Sequence, residues 1–450
     1  MIKRVIYLLL ENRSFDHVLG CFKELHKNLE GVDTTDLKEN SYGGAQYRQT
    51  PGSTPFLKFD PRHEYEHVAV QLANGNSGFV ADYAQSYPKA QPSDLLEVMK
   101  YRPLDGLPAI HALAREFTIC DHWFSSVPGP TWCNRLFALS GTSLGRVSMP
   151  EGIMNLNFHW YDQATIFDRL NEKSISWKVY FGDFPLSLLF THQWEAHNAA
   201  RYRAMTEFFR DVGQFGSSQQ PDDGLPVFSF IEPSYCDPNA NDAHPPHDMS
   251  ATDALVSNIY NAIRSNQTLW NETLLVVGFD EHGGFYDHIP PPKAVPPDYH
   301  REEYSFDQLG VRVPFLLVSP WVDKIVFPAQ LDHTSLLKHL IDMWGLGSLG
   351  ERTKNAETFA TAILSSPRLN TLTTVPGPQL PHDVERPSFP ILNDHLAALV
   401  ALSHVLESMG GEEASVVAAR ARQVLSGPQS QIDAAIDRVG SFIDFLKRKV

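Results

Sequence analysis

Two apolar segments of this chain each end in a pair of polar side chains with oxygen donors. The segments are residues 3–10, which run into Glu11 and Asn12, and residues 273–279, which run into Asp280 and Glu281. Continuous apolar runs of this length are typical of strands buried on both faces of a parallel sheet. Because ligands bind beyond the carboxyl ends of such strands, we expect folding to bring the four polar residues together.

Three carboxylates and one amide are hard oxygen donors, and acids so crowded would repel one another unless a divalent cation neutralised them. The two strand ends therefore predict a metal site. Each pair alone has a simpler explanation, since Glu11 and Asn12 could cap a helix starting near Ser14, and Asp280 and Glu281 could form an ordinary loop. The repeated layout favours the metal site.

Composition limits the class of protein. The 450 residues are 42% hydrophobic and 20% charged, which suits one large globular α/β domain with appendages, or two domains. The net charge of -16 argues against a nucleic-acid partner and against simple electrostatic docking on anionic lipid. The four cysteines form no CxxC pair, so neither a thiolate zinc site nor a dense disulfide framework is indicated.

Strand-like and helix-like segments alternate over residues 1–365, which predicts one α/β catalytic domain. Further strands are expected at 175–180, 227–231 and 313–318, and helices at 252–265 and 336–344, the latter capped by Thr334 or Ser335. Residues 40–100 show little periodicity and are expected to form an insertion, or lid, over the active face. A Pro-rich connector at 366–390 and a small helical subdomain at 391–450 follow.

The apolar segment at the amino terminus is too short for a signal peptide and lacks a small-residue cleavage site. No later segment is long and apolar enough to cross a bilayer. We therefore expect no transmembrane segment, and a location that is either cytoplasmic or reached by export without a classical leader.

A stiff loop of two prolines and a glycine, Pro128 to Pro130, precedes Thr131 and a helix-like segment at 135–140. A helix amino terminus favours an anion such as phosphate, and a threonine hydroxyl bound to a divalent cation becomes a usable nucleophile. Asn134 would lie on the same helical side and could donate to a phosphate oxygen. The alternative is that Thr131 merely caps the helix.

Histidines supply the remaining chemistry. Beside a reacting phosphate, His63 or His244 could protonate a leaving oxygen or neutralise growing charge. His282, next to the acidic pair, and His333, in front of a helix, could bind or support a metal, although helix capping is the commoner use of such positions.

Four blocks of this sequence resemble the signature blocks of the phosphoesterase family of bacterial phospholipases C, plant non-specific phospholipases C and a related acid phosphatase. They appear in the family's order, within residues 1–345, as Glu11 to His17, Pro128 to Arg135, Asn241 to Pro246, and Asp280 to His288. The tail beyond the connector carries none of them. Cys133 departs from the residue expected within the nucleophile loop, and the leader common among secreted members is missing.

The resemblance implies an alkaline-phosphatase-like core, a mostly parallel sheet flanked by helices. It implies one divalent cation, Zn, Ca, Mn or Mg, with the nucleophile Thr131 joining the four strand-end residues as a ligand. Residues matching the family's phosphate-contacting positions are His63, Asn134 and His244. One further histidine of the family has two candidates here, His159 and His192.

The resulting hypothesis is a metal-dependent phospholipase C that hydrolyses the glycerol-side phosphodiester bond of phospholipids such as phosphatidylcholine through a phosphothreonine intermediate. Its partner would be a phospholipid or small phosphoester, with transient contact to a membrane surface. The alternative is an acid phosphatase of the same family, although its branch uses serine as nucleophile. A non-catalytic metal-binding protein is the third hypothesis, against which the intact set of site positions argues.

Overall fold

A computed structural model describes residues 1–378 except 53, 55, 150–160, 219–223, 236–239 and 246. The predicted helical subdomain at 391–450 lies outside the described residues, as do residues 379–390 of the Pro-rich connector and the candidate His159. The predicted division into domains therefore stays a prediction.

The strands are short, and several are buried along their whole length. In chain order they are β1 (Arg4–Leu10), β2 (Glu39–Tyr42), β3 (Ala45–Arg48), β4 (Thr50–Pro51), β5 (Lys100–Tyr101), β6 (Thr118–Cys120), β7 (Trp123–Phe124), β8 (Trp177–Phe181), β9 (Tyr202–Ala204), β10 (Phe228–Glu232), β11 (Thr273–Phe279), β12 (Phe315–Val318), β13 (Val326–Phe327) and β14 (Leu331–Asp332).

Eight of these strands form the central sheet, in the order β13-β6-β12-β11-β1-β10-β8-β9. Within the described chain, β12 pairs antiparallel with both neighbours, and the other neighbouring strands run parallel. The central strands β1 and β11 bury almost every side chain, as continuous apolar runs predict. Their register pairs Leu10 with Phe279, so both strands end at the same edge of the sheet.

Helices flank this sheet. They are α1 (Phe15–Val18), α2 (Tyr65–Gln71), α3 (Ala73–Asn76), α4 (Phe79–Ser86), α5 (Pro92–Leu95), α6 (Pro108–Glu116), α7 (Thr131–Ser140), α8 (Ile166–Glu172), α9 (Ala196–Ala199), α10 (Met205–Gly213), α11 (Met249–Ser265), α12 (Gln267–Trp270), α13 (His333–Trp344) and α14 (Gly350–Asn355). Helix α11 packs against α6 and α10, whereas α7 packs against α13. The predicted fold class, a mostly parallel α/β sheet flanked by helices, is confirmed.

The predicted helices exist, but two capping predictions are wrong. Helix α13 begins at His333, and Asp332 caps it by accepting a hydrogen bond from the Thr334 amide. Ser14, rather than Glu11 or Asn12, caps α1 by accepting from the amide of His17. In both cases a side chain two or three residues away from the expected one has the geometry that the free amides need.

Residues 40–100 contain the hairpin of β2 and β3 and helices α2 to α5, so this segment has more regular structure than its composition indicates. It has its own small core, which includes Phe79 and Tyr83 and also holds Tyr286 from the loop after β11. Packing rather than lipid binding therefore accounts for these two aromatic side chains. Its predicted role as a lid stays a prediction.

No helix among the described residues has the length and apolar character needed to span a bilayer.

Candidate active site

The ends of β1 and β11 bring the four predicted metal ligands together at one buried point. Glu11, Asn12, Asp280 and Glu281 are all fully buried. The backbone N–H of Asn12 donates to Oδ1 of Asp280 at 3.2 Å, and the N–H of Arg13 donates to the carbonyl of Glu281 at 2.9 Å. Two backbone N–H groups of the loop after β1 thus donate to the loop after β11, one to a side chain and one to a carbonyl.

Asn12 occupies a backbone conformation that few residues adopt. Its φ is +56°, in the left-handed region, which asparagine tolerates better than most side chains. This turn directs its amide toward two other site residues. The hydroxyl of Thr131 donates to Asn12 Oδ1 at 3.3 Å, and Asn12 Nδ2 lies 3.2 Å from Nε2 of His63.

Gly283 allows the second loop to approach the first. Its φ is +62°, and a Cβ placed on it would lie 2.3 Å from the backbone oxygen of Asn12. Its N–H donates to Oε2 of Glu281 at 2.7 Å. This glycine is therefore required both for the turn and for the contact between the two strand ends.

Thr131 stands at the first turn of α7, after Pro130 in the capping position, and it is 1% exposed. The capping residue is Pro130, whose side chain cannot accept a hydrogen bond, and the Thr131 hydroxyl donates to Asn12. The alternative in which Thr131 merely caps the helix is therefore wrong. Its position combines a helix amino terminus with the acidic strand ends, the arrangement that a metal-assisted nucleophile needs.

Asn134 is fully buried and its side chain holds the loop that precedes Thr131. Oδ1 accepts from the amide of Val127 at 3.1 Å, and Nδ2 donates to the carbonyl of Gly129 at 2.8 Å. These contacts use both ends of the amide. In this conformation Asn134 shapes the nucleophile loop, and its predicted contact with phosphate stays a prediction.

His63 and His244 lie side by side, with ring centroids 5.4 Å apart, and both are buried. Together with Asp60 they place three ligand atoms within 4.8 Å of one another. Burial lowers the pKa of His63, but the nearby carboxylates of Glu281, Glu64 and Asp60 outweigh it and raise the pKa to about 9. Neutralisation of Glu281 by a cation would weaken that effect, because the carboxylate charge is its main source.

The strand-end carboxylates carry more negative charge than the protein alone balances. Burial raises the pKa of Glu11 well above its usual value, and neighbouring Asp280 and Asp242 add to this rise against the pull of Arg135. Burial likewise raises the pKa of Asp280 to about 7. Oε1 of Glu281 is buried and makes no hydrogen bond within the part of the chain that the structure describes. This donor set fits a divalent cation.

Arg135 is a site residue to which the sequence analysis gave no role. Its guanidinium lies 3.2 Å from Oε1 of Glu11, 3.0 Å from Oδ2 of Asp280 and 3.8 Å from Oε1 of Glu232. It comes one turn after Thr131 on α7, so the helix that presents the hydroxyl also supplies a buried positive charge. The signal in the sequence was that spacing of four residues.

His333 and His282 both support the acidic strand end, so the expectation that they cap helices is wrong. Trp123 donates to Nδ1 of His333, which leaves Nε2 to donate to the carbonyl of Asp280 at 2.6 Å. Burial lowers the pKa of His333 to about 4, so the ring is neutral. Nδ1 of His282 lies 3.3 Å from Oε2 of Glu281.

The third family histidine is not located. His192 is partly exposed, and its ring contacts Asp168 of α8 rather than any of the site residues above. His159 lies outside the described residues.

Comparison with known proteins finds one matching family model and similar plant proteins. A model of the Phosphoesterase family matches residues 2–347. Non-specific phospholipase C6 of Arabidopsis thaliana is 35% identical over 83% of this chain and 75% of its own length. Non-specific phospholipase C4 of the same plant is 32% identical over 84% of this chain and 74% of its own length.

Bacterial relatives are more distant. Phospholipase C A of Mycobacterium tuberculosis is 28% identical over 83% of this chain and 82% of its own length. Among solved structures, a protein in the alkaline phosphatase superfamily from Vibrio parahaemolyticus is 12% identical, with a TM-score of 0.35 over 57% of this chain and 65% of that one. That last similarity is too weak to carry a conclusion. The family match and the plant relatives confirm the resemblance seen in the sequence: the chain is a phosphoric ester hydrolase and belongs to the Phosphoesterase family.

Proposed function

We propose that this protein is a metal-dependent phospholipase C that cleaves the glycerol-side phosphodiester bond of phospholipids such as phosphatidylcholine. The observation that carries the proposal is the 3.3 Å contact between the Thr131 hydroxyl and Asn12, at the point where the strand-end carboxylates meet. The names of the plant and mycobacterial relatives support the phospholipase C class.

The residues that would hold a divalent cation are Glu11, Asn12, Thr131, Asp280 and Glu281. When bound, the cation would lower the pKa of the threonine hydroxyl and offset the negative charge of the phosphate oxygens. Oxygen donors suit calcium, magnesium or manganese by softness, and zinc also accepts carboxylate ligands.

The chain's own residues then account for a two-step transfer. Oγ of Thr131 loses its proton to solvent and forms a bond to phosphorus while the bond from phosphorus to the glycerol oxygen breaks, and a proton from His63 or His244 goes to that oxygen to release diacylglycerol. Water next attacks phosphorus and loses one proton to the same histidine pair, while the bond from phosphorus to Oγ breaks and frees the phosphorylated head group. Oγ of Thr131 takes a proton back from solvent, so the cycle closes.

Arg135 and Asn134 prepare these steps by holding other site residues in place. Arg135 keeps Glu11 and Asp280 in place through its ion pairs, and Asn134 fixes the loop that carries Thr131. Rigid placement of the nucleophile is valuable because small displacements of reacting groups cost large factors in rate.

The test is release of p-nitrophenol from p-nitrophenyl phosphorylcholine and from p-nitrophenyl phosphate, with and without chelator. We expect the choline ester to be preferred and its turnover to be lost on chelation and in Thr131→Ala. Thr273→Ala is the matched control, because Thr273 is also buried but lies at the opposite end of β11, where its hydroxyl donates to Leu269.

Preference for the simple phosphate, with an acidic optimum, would replace the proposal by the acid phosphatase alternative. Bound metal without turnover of either ester would favour a non-catalytic metal-binding protein. Unchanged turnover in Thr131→Ala would remove threonine from the nucleophile role.

A further inference from the structure

The side chain of Gln71, the last residue of α2, is 1% exposed and contacts two different parts of the site. Its Nε2 donates to the carbonyl of Arg62 at 2.7 Å and to Oδ2 of Asp82 at 2.8 Å. Its Oε1 lies 2.7 Å from Nε2 of His282. Because two acceptors face one end of the amide, its orientation is determined, and His282 must donate to the other end.

Two of the partners of Gln71, Arg62 and His282, are each adjacent in sequence to a site residue. Arg62 directly precedes His63, and His282 directly follows Glu281. The ring of His282 in turn lies against the Glu281 carboxylate, with Nδ1 3.3 Å from Oε2. One buried amide therefore connects the segment that carries His63 with the strand end that carries Glu281.

The same two segments also meet through their backbones. A Cβ on Gly284 would lie 2.6 Å from the carbonyl oxygen of Arg62, the same oxygen that accepts from Gln71. Gly284 has a φ of +71°, so this close approach depends on glycine. The position of Arg62 relative to the loop after β11 is thus set by a close backbone contact and by a hydrogen bond from Gln71.

Asp82 and His67 form a second pair of side chains, which holds the amide of Gln71 in place. Asp82 of α4 is 3% exposed, and its second oxygen lies 2.7 Å from Nδ1 of His67 of α2. The contacts therefore run from two helices of the 40–100 segment, through Gln71 and His282, to Glu281. The last contact in this series is the 3.3 Å approach of His282 to Glu281, and supporting contacts of this kind orient the ligands of metal sites.

We propose that Gln71 is a positioning residue that fixes Glu281 for cation binding, through His282, and fixes His63 opposite it, through Arg62. The inference rests on the proposed function, because it takes Glu281 as a cation ligand. It gives the 40–100 segment a role apart from the predicted one of a lid: its helices hold a cation ligand that belongs to the central sheet.

The test measures cation binding directly, independent of turnover. Mn²⁺ is titrated into chelator-treated protein and the heat of binding gives Kd for wild type and Gln71→Met, which keeps the side-chain length and removes the hydrogen bonds. We expect Kd to rise by about 10–100-fold, the usual cost of losing a supporting partner of a metal ligand.

Gln49→Met is the matched control. Gln49 is also a buried glutamine of the same segment, 2% exposed, but its amide bonds Asp16 and the backbone of Lys38, which are not site residues. Its substitution removes the same type of side chain and should leave the Kd for Mn²⁺ unchanged. An equal loss of affinity in both variants would show a general loss of packing and overturn the inference.

A double-mutant cycle tests the route through His282. If Gln71 acts on Glu281 through that ring, Gln71→Met combined with His282→Gln should weaken binding no more than His282→Gln alone. Full additivity would overturn that route. Should Gln71→Met fail to fold, Gln71→Asn, whose amide is one methylene too short to reach both partners, replaces it with the same expected rise in Kd.

The two proposals fail in different ways. Wild-type protein that binds no Mn²⁺ and no Zn²⁺ would contradict the metal site itself, and the inference would fall with it. Wild-type protein that binds Mn²⁺ with the same Kd as Gln71→Met would overturn the role of Gln71 and leave the metal site standing.

Discussion

Nε of Arg135 lies 3.0 Å from Oδ2 of Asp280, and both side chains are buried. The guanidinium of Arg135 therefore contacts a carboxylate that we propose as a cation ligand. The contact explains how several acids can share one buried point in the protein before any cation arrives. It also means that the site has a permanent positive charge from α7 in addition to the one that a cation would bring.

Replacement of Arg135 by methionine should destabilise the chelator-treated protein by about 3–5 kcal/mol, since removal of one partner leaves buried carboxylates uncompensated. The free energy of unfolding, from denaturant titration, measures this. Added Mn²⁺ should recover part of the loss, because it binds only the folded site. Arg48→Met is the control: Arg48 pairs with Glu39 on an exposed surface, so its loss should cost about 0–1 kcal/mol. Equal losses in the two variants would contradict the buried role.

Two substitutions separate the backbone role of Asn12 from the role of its side chain. Its φ of +56° favours glycine over alanine, so Asn12→Ala should be less stable than Asn12→Gly by about 1 kcal/mol in thermal or denaturant unfolding. Both variants should lose turnover, because both remove the amide that contacts Thr131 and His63. Retained turnover in Asn12→Gly would remove that amide from the mechanism.

Gly283→Ala should impair both stability and cation binding. The new Cβ would meet the backbone oxygen of Asn12 at 2.3 Å, so one of the two ligand loops must move. Gly43→Ala provides the matched control, because Gly43 has a similar φ of +58° with no atom within 4 Å of the new Cβ. Its cost, about 1 kcal/mol for the left-handed backbone alone, should be exceeded by Gly283→Ala. Similar Kd values for Mn²⁺ in the two variants would show that the loops do not need their close contact.

His339 should make the protein acid-sensitive. Burial lowers the pKa of this histidine to about 4, against a weak opposing effect of Asp342. Between pH 6.5 and 4 the unfolded chain therefore binds a proton that the folded chain does not, so the free energy of unfolding falls as pH falls through this range. The stability is fully present above pH 6.5 and is lost by about pH 4.

Substitution by leucine tests this prediction. His339→Leu keeps a similar volume and removes a buried Nε2 that makes no hydrogen bond among the described residues. Denaturant titrations at pH 7 and at pH 4.5 should show a smaller decrease in the variant than in wild type, by about 1–3 kcal/mol. A decrease of the same size in both proteins would mean that other groups control the acid response.

The strands were predicted well because each continuous apolar run is visible within its own segment of the sequence. β1 and β11 are apolar runs in the sequence and are buried strands in the structure, and the acids that end them meet at one sheet edge. Helix ends were predicted less well. At α13 and α1 the choice among adjacent polar side chains depends on backbone angles that the sequence does not display.

The contacts across the fold were not predictable in the same way. Gln71 and Glu281 are 210 positions apart, and nothing in the spacing around either indicates that a third side chain joins them. The role of Arg135 was missed for the same reason, and the support that His333 and His282 give to the acids was named only as an alternative to helix capping. Each is defined by a partner on another element of the fold.

Fold class, family membership and the two strand ends that carry the acids can be predicted from the linear chain, because burial patterns and motif order are properties of the sequence. The side chains that support those acids are identified in the folded domain alone: Arg135 as a buried countercharge, His333 and Gln71 as positioning groups, and Asn134 as the side chain that holds the nucleophile loop. The physical reason is that hydrogen bonds and ion pairs depend on distances of about 3 Å between atoms whose separation is set by the packing of the whole domain.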